Sequence, residues 1–267
     1  MIAFAACKIN IGIRVLDKRS DGFHHLESIL YPVPLYDILE IKESDKDSLV
    51  QSGFVASQSM EENIVFKALQ LVRKKHPTPP LSIYLHKQIP FGAGLGGGSS
   101  DAVSMLRLLI DEFKLITTDE QIFEWAQELG SDCPFFIQEK AAVISGRGEI
   151  VKPINLSLKD KYIIIVKPPF IVSTVDAFRH IERSKNPSLK DIENVDIVDW
   201  QKYFTNDFEK AVSKKHQEIM RIKEQLLDNG ALYASLSGSG SAVFGIFEQA
   251  TKLSFPSSYF YWGSLLP

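Results

Sequence analysis

The chain has 267 residues, enough to bury a full core in one or two domains at roughly 150 residues per domain. Apolar residues make up 45% and charged residues 24%, and thirty basic against thirty-three acidic side chains leave a formal charge of −3, without a Lys/Arg block; this argues against disorder, a fibrous form and a nucleic-acid partner. With two cysteines, no apolar run near the ~20 residues of a membrane span and no signal-like start, the sequence reads as a cytoplasmic protein without a disulfide framework or a membrane partner.

Residues 2 to 43 read as strands. Their apolar stretches Ile11 to Leu16, Leu26 to Val33 and Ile38 to Ile41 are interrupted by Asp17-Lys18-Arg19-Ser20-Asp21-Gly22, a polar segment expected to be a working loop. From Asn63 to His76, the residues Ile64, Val65, Ala68, Leu69, Leu71 and Val72 recur at helical spacing until Pro77, Pro79 and Pro80 end the helix. A short strand, Leu81 to His86, follows. The segment Ile89-Pro90-Phe91-Gly92-Ala93-Gly94-Leu95-Gly96-Gly97-Gly98-Ser99-Ser100-Asp101 then feeds a helix beginning near Ser99, whose apolar face carries Ala102, Val103, Leu106, Leu109, Ile110 and Phe113. Thr118, with Gln121 three residues on, opens another helix with a capping box; Leu129-Gly130 closes it just before Ser131-Asp132-Cys133-Pro134.

Beyond a boundary placed near residue 150, which gives domains 1–150 and 151–267, the pattern predicts a strand from Tyr162 to Val166 and a break at Pro168-Pro169. A polar stretch spans Glu182 to Trp200. A single long helix is expected from Phe208 to Asn229, stopped by Gly230, and the strand Ala231 to Leu236 runs into Ser237-Gly238-Ser239-Gly240-Ser241 and out through Ala242 to Phe247. The last twenty residues carry no signal.

Five of the seven residues from Gly92 to Gly98 are glycine, an entropic cost that an ordinary surface turn does not require. Such a loop lets successive backbone N–H groups point into one concavity, and the following helix adds its positive end, so the segment suits a polyphosphate. Ser99 and Ser100 could cap the helix, touch phosphate or hold Mg²⁺. No Gly-Lys-Ser/Thr follows, so the loop is not a Walker A motif, and it lacks the βαβ surroundings of a dinucleotide fingerprint.

Pro90 to Ala102 resembles the second motif of the GHMP kinase superfamily. Ser237-Gly238-Ser239-Gly240-Ser241-Ala242 is similar to its C-terminal glycine motif, and Cys7-Lys8-Ile9-Asn10 to its N-terminal one. The segments Arg19-Ser20-Asp21-Gly22-Phe23-His24, Gly130 to Phe136, Gly146-Arg147-Gly148-Glu149 and Asn206-Asp207-Phe208-Glu209 narrow the resemblance to a branch whose substrate joins a cytosine, a diphosphate and a sugar-like alcohol. The resemblance implies an α+β, two-domain GHMP kinase fold, with a ribosomal-protein-S5-domain-2-like N-terminal half and a ferredoxin-like C-terminal half. It also implies ATP, Mg²⁺ carried with it, a small-molecule substrate, and a monomer or weak homodimer.

In that family the catalytic pair falls at Lys8 and Asp132. Asp132 would take the proton of the substrate hydroxyl, and Lys8 would hold the carboxylate ionised. ATP falls to Pro90, Phe91, Gly92, Ala93, Gly94, Leu95, Gly96, Gly97, Gly98, Ser99 and Ser100, with Asn63 and Lys87 at nucleotide-side positions. Without the resemblance, Lys87 reads as a solvated lysine at a strand end and Asn63 as a helix-entry residue. Substrate contacts fall to Asn10, Phe23, His24, Thr174 and Phe178, with core packing as the alternative for either Phe. Cys7 and Cys133 read as small buried residues. The histidines, cysteines and carboxylates show no metal-cage spacing, so no protein-held metal is expected.

Overall fold

A computed structural model describes residues 1–20, 22, 24–54, 58–179, 181, 189 and 192–267. Phe23 therefore lies outside the described residues. The chain opens with two long strands, β1 (Ile2–Lys18) and β2 (His24–Glu43), which pair with each other. Their residues are divided between two compact units, one of 1–7, 35–91 and 96–139, the other of 8–34, 92–95 and 140–267.

In the first unit, β3 (Ser48–Gly53) runs parallel to β4 (Leu81–Lys87), and β4 runs antiparallel to β2, in the order β3-β4-β2. The register sets Leu39 opposite Leu85 and Ile41 opposite Ile83, and alternation along β2 turns Leu35, Asp37, Leu39 and Ile41 to the buried side. Four helices follow: α1 (Ile64–Arg73), α2 (Gly97–Phe113), α3 (Asp119–Leu129) and the short α4 (Cys133–Phe136). Val65, Ala68, Leu69 and Val72 of α1 and Met105, Leu106 and Leu109 of α2 share one core with Leu39, Ile41, Ile83, Leu85 and Trp125. Helix ends follow local chemistry. Asn63 caps α1 by accepting from the Val65 N–H at 2.9 Å, and Thr118 caps α3 by accepting from the Gln121 N–H at 3.2 Å. Helix α2 starts two residues before Ser99, and its cap is Gly96, left-handed at φ 72° and without a side-chain hydrogen bond. Neither serine is the cap.

In the second unit, β5 (Ala142–Gly146) pairs with the first half of β2, Leu26 opposite Gly146 through Leu30 opposite Ala142, and β6 (Ile150–Pro153) pairs with β5. A separate antiparallel sheet has the order β10-β7-β9-β8, formed by β7 (Tyr162–Lys167), β8 (Tyr233–Leu236), β9 (Val243–Phe247) and β10 (Phe260–Leu265). Helices α5 (Thr174–Arg179), α6 (Trp200–Tyr203), α7 (Phe208–Ser213) and α8 (Glu218–Asp228) belong to the same unit. Phe208, Val212, Ile219, Ile222 and Leu226 bury against Ile164, Val166, Leu236 and Val243.

One expectation is corrected here. The long helix from Phe208 to Asn229 is two helices, separated at Lys214-Lys215-His216-Gln217. A straight helix would hold residues fourteen apart at about 21 Å; folding back instead brings Lys223 Nζ to 2.6 Å from the buried Glu209 carboxylate, whose other oxygen accepts from Ser235 Oγ and the Leu236 N–H. The last twenty residues, silent in the sequence, supply β10, which pairs residue for residue with β7. It is half-buried along most of its length, so no alternation marked it. Among the described residues, no helix is long and apolar enough to cross a membrane.

Leu69 is fully buried in the core of the first unit. Leu69→Ala should destabilise the protein by about 2–5 kcal/mol, read as a lower urea midpoint, whereas Ile116→Ala, at a side chain 93% exposed, should stay within about 0.5 kcal/mol of the parent.

Candidate functional site

Strand β1 places Lys8 and Asn10 on one face, two residues apart, and both are buried. Lys8 Nζ donates to Asn10 Oδ1 at 2.6 Å and to the Gly94 carbonyl at 2.9 Å, while the Lys8 N–H donates to the Leu95 carbonyl at 2.9 Å. Asn10 Nδ2 donates to Ser28 Oγ, which donates on to the Gly12 carbonyl. The Gly94 carbonyl also accepts from Ser237 Oγ at 2.9 Å. Thus the N-terminal motif, the glycine loop and the C-terminal glycine motif meet at one backbone oxygen.

The two glycine segments lie backbone to backbone. The Ala242 N–H donates to the Ala93 carbonyl at 3.0 Å, and a Cβ on Gly238 would lie 3.2 Å from the Gly94 Cα. Gly94 itself has φ 76°, and a Cβ there would collide with the Ser237 carbonyl. Only glycine fits. Asn206, from the fourth quoted segment, donates through Nδ2 to the Leu236 and Gly238 carbonyls at 2.7 and 2.8 Å, fixing the turn that faces Gly94. In the same unit, His24 stacks on Phe178 with ring centroids 5.4 Å apart and planes at 14°, and Phe178 meets Phe208 edge-on at 4.9 Å. Thr174 Oγ1 lies 3.0 Å from Ser239 Oγ. Phe178 thus packs on the core and stacks on His24 at once.

In the first unit, helix α2 leaves its first amides without a side-chain cap, and a Cβ on Gly98 would meet only Ile64 at 3.9 Å. An open glycine in the first turn of a helix without a side-chain cap fits phosphate oxygens. Ser99 hydrogen-bonds the Cys133 thiol, and a Cβ on Gly130 would lie 3.4 Å from Cys133 Sγ and 4.0 Å from Ser99 Oγ. The start of α2 and the Gly130-Ser131-Asp132 turn therefore abut. Asp132 sits at the N-terminal end of α4, half-buried, and its carboxylate does not cap that helix. Burial pushes the Cys133 thiol up to about 12, against the lowering effect of the Ser99 hydrogen bond. Cys7 is likewise buried.

Asn63 Nδ2 donates to Gln51 Oε1 at 3.1 Å besides capping α1. Lys87 is not solvated: its ammonium sits between the carboxylates of Asp37 and Asp101, both almost wholly buried. Burial alone would lower the Lys87 pKa, but the two carboxylates more than offset it and leave it raised. Asp101 is driven up to about 8, first by burial and then by its neighbour Asp37, against the pull of Lys87. Sequence reasoning quoted Asp101 within a motif without a role and passed over Asp37. The signal for Asp37 was there: it shares the parity of Leu35, Leu39 and Ile41, so strand periodicity turns a carboxylate inward.

Comparison with known proteins agrees with these motifs. The family model described as GHMP kinases N terminal domain matches residues 63–140, and that described as GHMP kinases C terminal matches residues 188–254. A 4-diphosphocytidyl-2-C-methyl-D-erythritol kinase of Parabacteroides distasonis is 44% identical over 252 residues, covering 94% of this chain and 93% of that protein; its namesake from Bacteroides fragilis is 45% identical, covering 97% of each. Among solved structures, a 4-(cytidine 5'-diphospho)-2C-methyl-D-erythritol kinase superposes with a TM-score of 0.78 at 29% identity over 93% of this chain and 91% of that one.

Two outcomes follow from burial at these positions. In the native protein at pH 8, neither cysteine should react with iodoacetamide over the time in which both react in 6 M guanidinium, as mass spectrometry would show. For Asp101, the folded state keeps a proton that the unfolded chain releases near pH ~4. Stability from this group is therefore full at low pH and lost as pH rises towards 8. Asp101→Asn should flatten that part of the profile in denaturation midpoints measured from pH 5 to 9.

Proposed function

The chain belongs to the 4-diphosphocytidyl-2-C-methyl-D-erythritol kinase family of GHMP kinases, and we propose that it uses the residues just described to move the γ-phosphoryl group of ATP onto the 2-hydroxyl of 4-diphosphocytidyl-2-C-methyl-D-erythritol, on the route to isoprenoid precursors. The observation that carries this reading is the meeting of Lys8, Gly94 and Ser237 at one carbonyl. Three motifs far apart in sequence build one backbone cradle there.

In the reaction the alcohol oxygen bonds to the γ-phosphorus as the bond to the β-phosphate oxygen breaks, and ADP leaves. Asp132 takes the hydroxyl proton, and the ammonium of Lys8 offsets negative charge. Residues Pro90 to Ser100 hold the phosphates through backbone N–H groups and the start of α2, with Asn63 and Lys87 on the nucleotide side. Mg²⁺ carried with ATP would supply positive charge to the phosphates. Asn10, His24, Thr174 and Phe178, with Phe23, serve the substrate. The aromatic pair of His24 and Phe178 supports docking of the pyrimidine there. The enzyme acts in the cytoplasm as a monomer or weak homodimer, with no nucleic-acid or membrane partner.

Incubation with ATP, Mg²⁺ and 4-diphosphocytidyl-2-C-methyl-D-erythritol should yield ADP and a product heavier by one phosphate. Asp132→Ala should lower kcat by about 10²–10⁴-fold while the variant still binds ATP. ATP binding by the parent protein with no phosphorylated product would overturn the substrate assignment.

A further inference from the structure

The glycine loop has two ends, and both are tied to the same buried ionic group. At the entrance, Asp37 Oδ1 accepts from the Gln88 N–H at 2.6 Å and the Ile89 N–H at 2.8 Å, immediately before Pro90. Asp37 Oδ2 accepts from Lys87 Nζ, and the same ammonium donates to Asp101 Oδ2 in the second turn of α2, where the loop exits. Entrance and exit also touch directly: a Cβ on Gly97 would lie 2.9 Å from Ile89 Cγ2 and 3.3 Å from Asp37 Oδ2. The Asp37 and Asp101 side chains are almost wholly buried, and Lys87 is 11% exposed.

We infer that Asp37, Lys87 and Asp101 form a clamp that fixes the spacing between the two ends of the phosphate loop, and that they are positioning residues for the triphosphate. In this account, which rests on the ATP reading above, Lys87 serves the nucleotide side by holding the loop and does not touch the nucleoside. Physical economy favours the clamp. The middle of the loop is held by hydrogen bonds to Ala93, Gly94 and Leu95, but glycine leaves its ends without side chains of their own, so their spacing must be set by neighbouring residues. A buried ammonium already bonded to two carboxylates would have to break those bonds to reach a ligand.

The clamp and a direct nucleoside contact predict different responses to two probes, Mg²⁺·ATP and Mg²⁺·tripolyphosphate, which share phosphates but not the nucleoside. Binding of each is measured by calorimetry on the full chain without the alcohol substrate, so the result stands apart from the substrate assignment. Asp101→Ala cuts the link to α2 at a helical position that alanine suits, and should weaken both probes by a similar factor, about tenfold or more. Asp101→Asn, which keeps the shape and an acceptor for Lys87, should recover most of that loss. In turnover, KM for ATP should rise in Asp101→Ala while KM for the alcohol stays put. Lys87→Met should reproduce the equal loss of both probes, and its effect should be markedly less than additive with that of Asp101→Ala. Unchanged affinity for both probes in Asp101→Ala would overturn the clamp. So would a loss in Lys87→Met confined to ATP, because that marks a contact with the nucleoside.

Discussion

The carbonyl oxygen of Gly94 is the point on which the second unit's arrangement turns. It accepts from Lys8 Nζ and from Ser237 Oγ, residues 86 and 143 positions away in the chain. A carbonyl has two lone-pair directions, and here both are filled by donors from other motifs. The Ser237 segment could not approach so closely if residue 94 carried a side chain, because the Ser237 carbonyl occupies the space a Cβ would take. The glycine is therefore an assembly requirement. It lets a strand, a loop and a turn of distant origin share one small volume.

The neighbouring hydrogen bonds depend on that junction. Asn10 can hold Lys8 because β1 is extended and sets both side chains on one face, and Ser28 in turn holds Asn10. Asn206 closes the other side by binding the Leu236 and Gly238 carbonyls, so the turn that presents Ser237 is itself braced. An ammonium in so enclosed a position is stable only when its donors are satisfied. Asn10 and Gly94 supply two of the acceptors. A substitution at Asn10 would thus act on Lys8 before it acted on any substrate.

What was legible in the sequence was whatever depends on local chemistry. The caps at Asn63 and Thr118, the stop at Gly130 and the strand from Tyr162 follow from residue type and period, and the structure shows them there. The motifs named the residues that meet at Gly94 but could not say how they meet, since hydrogen bonds across 86 or 143 residues leave no local trace. The break between α7 and α8 was hidden for a related reason. The segment from Phe208 to Asp228 reads as one helix, whereas the buried pairing of Glu209 with Lys223 is made across two, a contact fourteen residues apart that no local pattern announces. β10 was hidden because an edge strand that is half-buried along most of its length shows no alternation. Asn63 was legible twice over, as a helix cap and as a motif residue, and the structure displays the first role outright.

Lys87 shows why a motif position and a physical role need separate arguments. Sequence position alone makes it a charged residue at the end of a strand, free to reach a phosphate or a nucleoside. Its surroundings say otherwise: a carboxylate from the middle of β2 and another from α2 enclose it. Two carboxylates and one ammonium would leave a net negative charge in an apolar interior, which is costly. Retention of one proton would remove that charge, and burial raises the proton affinity of Asp101, whose Oδ1 finds no hydrogen-bond partner among the described residues. The result is a buried unit with directional bonds to both ends of a loop whose middle is held by Lys8, Ser237 and Ala242. The segment on either side of the glycine run is thereby tied to one buried group, through the Gln88 and Ile89 N–H groups before Pro90 and through Asp101 in the second turn of α2.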